Sequence, residues 1–502
     1  MASDPRLQPV IIGVGEIADR PAAPELGLEP AALMAEALRR ADEDAGGGWL
    51  SLIDSLDVVN AVSWPYGDLP AAVIARSNLH PARVNYGPVG GETPTHLVHE
   101  AALRIVRGEC AVAAVCGGEA QHTVQAAKKA GVALPWTPPD PAWTNPRVRD
   151  YLHPLARHHG LAQPALVYPL YENAYQAALG QSPAQGQAAS AALWAALSAV
   201  AADNPCAWLR RAHGAEEIEH FSQRNRPIAW PYPKLMVANP VVNQGAAILV
   251  TSRARALAAG IDDSRLVDIC GGALAQEPRD WVARDVYHRS AAQVAALGAA
   301  LRATGLEIGA VDQLELYSCF PCVPKMALRA LGQPTDRATS VTGGLTFFGA
   351  PLNSYMTHAM VAMVRRLRQH PGQAGLLYGQ GEFVTKHHCL VLGGGPMRGG
   401  EIAQDYSAQA QADRLRGPVP EITEEAAGAA CVETFTVLFD RAGKAEKGVV
   451  VLRTHEQKRT LARVGADDVR TLDALMRRDS TAIGLNGPVR RAADGLLEWT
   501  LD

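Results

Sequence analysis

Two side chains that could perform chemistry follow the run Leu314-Glu315-Leu316, at the end of a predicted core strand. Tyr317 and Cys319 are separated by one residue. Alternate residues of an extended chain point to the same side, so we expect these two side by side with Ser318 opposite. A phenol can act as an acid–base group and a thiol as a nucleophile, provided that a base or a helix dipole lowers one pKa. The helix predicted from about residue 323 would supply such a dipole.

A second group of reactive side chains lies in the segment 382–388. It contains Glu382, Lys386, His387 and His388. Two histidines beside a lysine could perform acid–base chemistry, and we name His387 as the third candidate catalytic residue. The two histidines could equally alternate along a strand, one buried and one exposed, with no part in chemistry.

Cys319 and Cys322 form a C-x-x-C pair. That spacing occurs in redox and zinc sites, but the sequence has no second pair at metal-ligand spacing, and the chain is far longer than a thioredoxin. We therefore expect no metal. A buried, inert thiol is the alternative to a reactive Cys319.

The segments that would position these residues repeat along the chain. In the first half the strand PVIIGVGE leads to the amphipathic helix AALMAEALRRADEDAG, and in the second LVDICGGA leads to AAQVAALGAALRATG. Strands that alternate with helices predict parallel pairing with right-handed crossovers. Runs such as CAVAAVC indicate strands that are buried on both faces. We therefore predict an α/β fold of two similar halves.

Three further segments depart from this repeat. A region rich in Pro, Trp, Tyr and His interrupts the first half, and a polar stretch after the second half indicates a linker. The C-terminal block has alternating apolar residues and an Asp494-Gly495 hairpin signal, so we predict a β-rich domain of the OB type there. The predicted units are 1–263 with an insertion at about 119–240, 264–400, the linker 401–422, and the C-terminal domain 423–502.

The repeated halves, the insertion and the stretch NPVVNQGAAILVTS together resemble the thiolase superfamily. ELYSCFPCVPKMALRALG is similar to the His-Asp-Cys-Phe region of the sterol-carrier-protein type of thiolase, and GGLTFFGAP to its Gly-Gly…Gly-His-Pro loop. The added C-terminal block resembles the branch called thiolase-like protein type 1. The resemblance implies two five-stranded mixed sheets in an αβαβα sandwich, with coenzyme A or an acyl-coenzyme A as the ligand. It also implies a homodimer, although the extra domain is compatible with a monomer.

Several residues that a thiolase needs are replaced in this sequence. No cysteine lies at 90–93, where the resemblance places the nucleophile at a helix N-terminus, and we expect Thr93 to be a helix N-cap. The His-Asp pair of the loop motif is Tyr317 and Ser318, and the histidine of Gly-His-Pro is Ala350. We therefore expect very weak thiolysis of acetoacetyl-coenzyme A.

The resemblance also indicates where the ligand would bind. In relatives, the turn before Gly-Ala-Ala lies against the pantetheine arm of coenzyme A, and here that turn contains Asn239, Pro240 and Asn243. Together with Gly344 of the Gly-Gly loop, these are the candidate binding residues. Basic residues of the insertion, such as Arg210, could meet the adenosine phosphates or could simply form a solvated loop.

Composition argues against several other classes of protein. Hydrophobic residues make up 48% and charged residues 20%, as in ordinary globular proteins. The net charge of −4 argues against nucleic-acid or acidic-membrane partners, since both require a basic face. The first residues lack a signal-peptide pattern, and eight scattered cysteines favour a reducing cytoplasm.

Three functions follow from these observations. The first is a thiolase-like acyltransferase with an altered catalytic set, similar to acetyl-coenzyme A acetyltransferases of lipid metabolism. The second is a carbon–carbon lyase that cleaves a coenzyme A thioester in a retro-aldol reaction, with Tyr317 as the acid–base group. The third is a non-catalytic binder of coenzyme A thioesters. An accessible pocket that gives Tyr317 or Cys319 a perturbed environment would favour an enzyme.

Overall fold

The computed structural model of this chain describes residues 8–147, 149–394 and 402–502. Its strands form two sheets, one for the two halves and one for the C-terminal domain. The strands are β1 (Pro9–Ala18), β2 (Ser55–Val58), β3 (Arg83–Tyr86), β4 (Val112–Ala120), β5 (Pro227–Ala229), β6 (Tyr232–Pro233), β7 (Asn243–Ser252), β8 (Val267–Gln276), β9 (Gln313–Leu316), β10 (Ala374–Gly381), β11 (Lys386–Gly393), β12 (Gly428–Phe439), β13 (Ala445–Thr454), β14 (Arg459–Val464), β15 (Asn486–Arg491) and β16 (Leu497–Trp499).

The α-helices alternate with the strands in both halves, and several more lie in the insertion. They are α1 (Pro30–Asp44), α2 (Leu69–Ser77), α3 (Thr93–Val106), α4 (Gln121–Ala130), α5 (Pro154–His158), α6 (Pro164–Ala178), α7 (Pro183–Asp203), α8 (Ala215–Glu219), α9 (Arg253–Ala258), α10 (Ala291–Thr304), α11 (Cys322–Ala330), α12 (Gly344–Phe347), α13 (Tyr355–Gln369), α14 (Gln409–Leu415) and α15 (Val469–Leu475). None of these described helices combines the length and the apolar character needed to cross a membrane.

The two halves form one mixed sheet of nine strands in the order β3-β2-β4-β7-β1-β8-β11-β10-β9. The halves meet where β1 pairs with β8 over two residues. Helix α1 covers only first-half strands and α10 only second-half strands, whereas α3 and α13 pack against each other and contact strands of both halves. The predicted duplicated α/β fold with a layered αβαβα arrangement is therefore confirmed.

The second half contributes four strands, not the five that the resemblance implied. The position equivalent to β3 is taken by an extended segment in which the Thr339 carbonyl accepts a hydrogen bond from the Leu316 N–H at 2.8 Å. The next backbone N–H groups, of Val341 and Thr342, donate instead to the buried carboxylate of Glu315. This side chain takes the hydrogen bonds that a regular strand ladder would use.

The C-terminal strands close into a barrel, because β12 pairs with both β13 and β15 while β14 and β16 complete the ring. The predicted β-rich domain is confirmed, and its OB-type topology stays a prediction. Strand β5 of the insertion extends this sheet beside β12. The fully buried Arg459 donates to the Val282 carbonyl at 2.6 Å and pairs with Glu433, so the barrel is tied to the second half.

The segment predicted as a linker contains a helix. Residue 401 lies outside the described residues, and α14 packs against α10. Ala412 is buried in this contact, and the Arg416 Nε donates to the Glu277 carboxylate at 2.8 Å. One buried residue in a short, largely polar helix is too weak a signal to predict that helix from sequence.

Candidate active site

A cavity of about 730 Å³ lies where the two halves and the insertion meet. Tyr317 and Cys319 both line it, directly after the C-terminal end of β9. Ser318 is turned away and accepts a hydrogen bond from the Leu345 N–H at 3.3 Å. The cavity therefore occupies the strand ends at which ligands collect in α/β sheets.

Glycines make room for two reactive side chains beside this cavity. A side chain at Gly91 would overlap the Tyr317 phenol, and one at Gly90 or Gly381 would overlap the carboxyl of Glu92. All three glycines line the cavity. The phenol and the carboxyl thus lie against the same glycine-lined wall.

Glu92 is the N-cap of α3, at the position where the resemblance implied a nucleophilic cysteine. Its Oε2 is buried and has no hydrogen-bond partner among the described residues. Burial raises the pKa of this carboxyl to about 7, although the nearby Lys386 opposes the shift. A carboxyl with this pKa can both accept and release a proton near neutral pH.

Glu92 was not predicted from the sequence, which instead indicated its neighbour Thr93 as the N-cap of this helix. Thr93 is not the N-cap that we predicted. It is the first residue of α3, and its hydroxyl donates to the Pro88 carbonyl at 3.0 Å. The signal that could have revealed Glu92 is a carboxylate at the start of a largely apolar helix.

Tyr317 carries a phenol that stays protonated at neutral pH. Burial raises its pKa well above the usual value, the neighbouring Cys319 and Glu92 raise it further, and the positive charge of Arg147 opposes the shift. The ring packs edge-on against Tyr355, with centroids 5.7 Å apart. A fixed, neutral phenol is suited to donate a proton.

Cys319 carries a thiol that is poorly suited to nucleophilic attack. Burial raises its pKa to about 12, despite the Gln380 Nε2 that donates to Sγ at 3.2 Å. Cys322 is also buried and is not bonded to Cys319. Since the thiolate is the reactive form, Cys319 is held in its unreactive form at neutral pH.

His387 lies in the core instead of the cavity. Burial lowers the pKa of its imidazole to about 4, its Nδ1 lies 2.8 Å from the Tyr378 hydroxyl, and its Nε2 lies 3.2 Å from the Ser290 hydroxyl. Both histidines of this segment are buried, so the expected alternation of one buried and one exposed ring is wrong. The structure does not bring His387 to the other candidates.

Of the four predicted binding residues, only Pro240 lines the cavity. The side chain of Asn239 accepts from the Val241 N–H, and Asn243 donates to the Thr123 hydroxyl at 2.8 Å. Gly344 is the buried first residue of α12. These three contribute to the backbone around the cavity, not to its surface.

The cavity is rich in positive charge. Glu382 forms ion pairs with Arg279 and Lys386 at the edge of the cavity, whereas Arg147 and Arg149 line it without a carboxylate ion-pair partner among the described residues.

The backbone of Glu382 is left-handed, with φ 58°. Non-glycine residues in that conformation are uncommon and concentrate at functional sites. Sequence analysis pointed instead to Arg210, which does not line the cavity.

In the part of the chain that the structure describes, no three His, Cys, Asp or Glu side chains are grouped to hold a metal ion.

Comparisons with known proteins agree with this architecture. Residues 410–495 match the family model "thiolase-like protein type 1 additional C-terminal domain". Over its whole length the chain is similar to a monomeric SCP2-thiolase-like protein type 1 from Mycobacterium smegmatis. The two are 30% identical, 100% of each chain is covered, and the TM-score is 0.83.

Two more distant structures share the fold alone. An Ltp2–ChsH2(DUF35) aldolase is 20% identical, covering 79% of this chain and 99% of that chain with a TM-score of 0.57. The dimeric peroxisomal thiolase of Saccharomyces cerevisiae is 14% identical, covering 78% of this chain and 98% of that chain with a TM-score of 0.56. No curated protein matches the chain.

Proposed function

Because the chain belongs to the SCP2-thiolase-like proteins of type 1, we propose that it acts on a coenzyme A thioester, and that it cleaves a carbon–carbon bond by acid–base catalysis. The observation that carries the proposal is the Glu92 carboxyl, with a pKa of about 7, on the same glycine-lined wall as the neutral phenol of Tyr317. This pair supplies a base and an acid beside one cavity, since Tyr317 lines it and the Glu92 carboxyl lies against its lining residues Gly90 and Gly381. A retro-aldol cleavage of a 3-hydroxyacyl thioester is a reaction that one base and one acid can catalyse.

The proposed steps are balanced without a further reactant. Glu92 takes the proton of the 3-hydroxyl group, the bond between Cα and Cβ breaks, and its electron pair moves to Cα and the thioester carbonyl as an enolate. Tyr317 then gives its proton to Cα, and Glu92 returns the first proton to Tyr317. The products are an aldehyde or ketone and a shortened acyl-coenzyme A.

Acyl transfer through a cysteine fits the cavity less well. Cys319 has a pKa of about 12, and its partners there are Gln380 and Tyr168, not a base. Ala350, which also lines the cavity, stands where the resemblance implied the activating histidine. The fold is shared with a protein described as an aldolase and equally with thiolases, so the choice of the lyase rests on the residues of the cavity.

We propose that the pantetheine arm of the ligand lies along the apolar side of the cavity, against Val237, Ala238 and Pro240. Apolar contacts of this kind hold a long flexible arm without requiring buried polar partners. The similarity to a protein described as monomeric favours a monomer for this chain over the homodimer expected from sequence. Light scattering of the purified protein would decide between the two.

The test is incubation with a series of 3-hydroxyacyl-coenzyme A thioesters of increasing chain length. The carbonyl product and the shortened thioester are both measured by mass spectrometry. We expect Y317F and E92Q each to lower turnover by about 100-fold or more, and C319A to retain it. Y86F is the matched control, since Tyr86 lies on the exposed edge strand β3 and does not line the cavity. Turnover that needs Cys319 but neither Tyr317 nor Glu92 would contradict the proposal.

A further inference from the structure

Two arginines of the insertion contribute positive charge to the cavity and form no ion pair with a described carboxylate, although Arg147 lies within electrostatic reach of the buried Glu119. Arg147 and Arg149 are half-buried, and both line the cavity. The acidic residue at its edge, Glu382, is already shared by Arg279 and Lys386, at 2.6 Å and 3.2 Å. The two arginines therefore face the cavity without a carboxylate ion-pair partner among the described residues.

The surroundings of Arg149 leave most of its hydrogen-bonding capacity unused. Its guanidinium lies over the Phe383 ring, 5.2 Å from the centroid, the distance from its Nη1 to the Gln163 Oε1 is 3.5 Å, and the Tyr151 phenol also interacts with it. Burial, together with the like charge of Arg147, lowers its pKa. A guanidinium offers five N–H donors in a fork that matches an oxyanion, so an anionic ligand would both pair with these donors and relieve the repulsion.

The position of the pair decides which part of a ligand it can reach. Arg147 lines the same cavity as Tyr317 and lies within electrostatic reach of the phenol. In a coenzyme A thioester, the whole pantetheine arm separates the nucleotide phosphates from the thioester. A cation this close to the acid–base pair is therefore near the acyl group and not near the phosphates.

We infer that Arg147 and Arg149 bind a carboxylate at the far end of the acyl group, so that the substrate is a thioester of a dicarboxylic acid. The inference rests on the proposed function, both in taking a coenzyme A thioester as the ligand and in placing its acyl group beside Tyr317 and Glu92. It adds a specificity that none of the compared proteins is described as having. The two arginines act as specificity-determining residues and take no part in bond cleavage.

The test measures binding, which does not depend on turnover. Glutaryl-coenzyme A and butyryl-coenzyme A, whose acyl groups differ chiefly in the terminal carboxylate, are titrated into the full-length protein by isothermal calorimetry. We expect the glutaryl thioester to bind at least about tenfold more tightly, because a charge-assisted hydrogen bond contributes that much or more. R147Q should remove this preference, and R147K, which keeps the charge, should restore part of it.

R210Q is the matched control, because Arg210 is exposed in the same insertion and does not line the cavity. Thermal unfolding of each variant shows whether the fold is retained. Equal affinity of the two thioesters in the wild-type protein would overturn the inference and leave the proposed function standing. A loss of affinity for both thioesters alike in R147Q would assign the arginines to the nucleotide phosphates and would also overturn it. Failure of both thioesters to bind would overturn the proposed function itself, and this inference with it.

Discussion

Replacing Glu92 by glutamine is expected to stabilise the protein at alkaline pH while removing its activity. Burial raises the pKa of this carboxyl from 4.5 to about 7, with Lys386 opposing the shift. The folded protein therefore holds the proton more tightly than the unfolded chain does. It follows that the free energy of unfolding falls as the pH rises through the window between these two pKa values.

The size of the effect follows from the two pKa values. Their difference corresponds to about 3 kcal/mol of lost stability once the pH exceeds about 7, and to about 1 kcal/mol near pH 5. The E92Q side chain has nearly the same shape and carries no charge at either pH, so it avoids this loss. We expect E92Q to gain about 3 kcal/mol over the wild-type protein near pH 8 and about 1 kcal/mol near pH 5.

The assay is urea denaturation of both proteins near these two pH values, followed by far-ultraviolet circular dichroism. E25Q is the matched control, because Glu25 is exposed on the surface and its substitution should change stability little at either pH. Equal effects of E92Q at the two pH values, or a loss of stability near pH 8, would refute the reasoning. Either result would show that burial does not raise the pKa of this carboxyl in the folded protein.

Two further predictions concern Cys319 and the C-terminal barrel. Burial raises the Cys319 pKa to about 12, so iodoacetamide should leave this thiol unmodified in the native protein near neutral pH and alkylate it in urea. Peptide mass spectrometry would detect the modification. Rapid alkylation of the native protein would contradict the assigned pKa. The R459M variant should lose about 3 kcal/mol of unfolding free energy in urea denaturation, since Glu433 and the Val282 carbonyl lose a buried partner. R441M, at the exposed turn after β12, is the control for R459M. Equal unfolding free energies of the two variants would show that Arg459 does not hold the barrel in place.

Much of the fold could be predicted from the sequence because its signals are local. Alternation of strands and helices, repeated in two halves, was enough to predict the duplicated α/β architecture. Alternating apolar residues and the Asp494-Gly495 hairpin signal were enough to predict the β-rich C-terminal domain. The missing fifth strand of the second half could not be predicted, because it depends on the buried Glu315 taking hydrogen bonds from backbone far along the chain. That competition between a side chain and a strand ladder is a tertiary effect.

In the candidate site, too, some features could be predicted from the sequence and others depend on tertiary structure. Strand parity and the position at the end of a predicted core strand were enough to place Tyr317 and Cys319 together, and both line the cavity. The environment of Glu92 was beyond sequence reasoning, because its pKa is set by burial against Gly381 and by Lys386, both distant in sequence. Nor could the sequence show that Arg147 has no ion-pair partner among the described residues, because that depends on the ion pairs that Glu382 makes with Arg279 and Lys386.

The most direct test of acid–base catalysis by Tyr317 and Glu92 is proton exchange at Cα of a simple acyl-coenzyme A in heavy water. The exchange reverses the last proposed step and needs no knowledge of the natural substrate. Mass spectrometry should show deuterium entering the α-carbon with the wild-type protein and with C319A, and far less with Y317F or E92Q. No exchange with the wild-type protein, or exchange that survives in Y317F and disappears in C319A, would contradict the account.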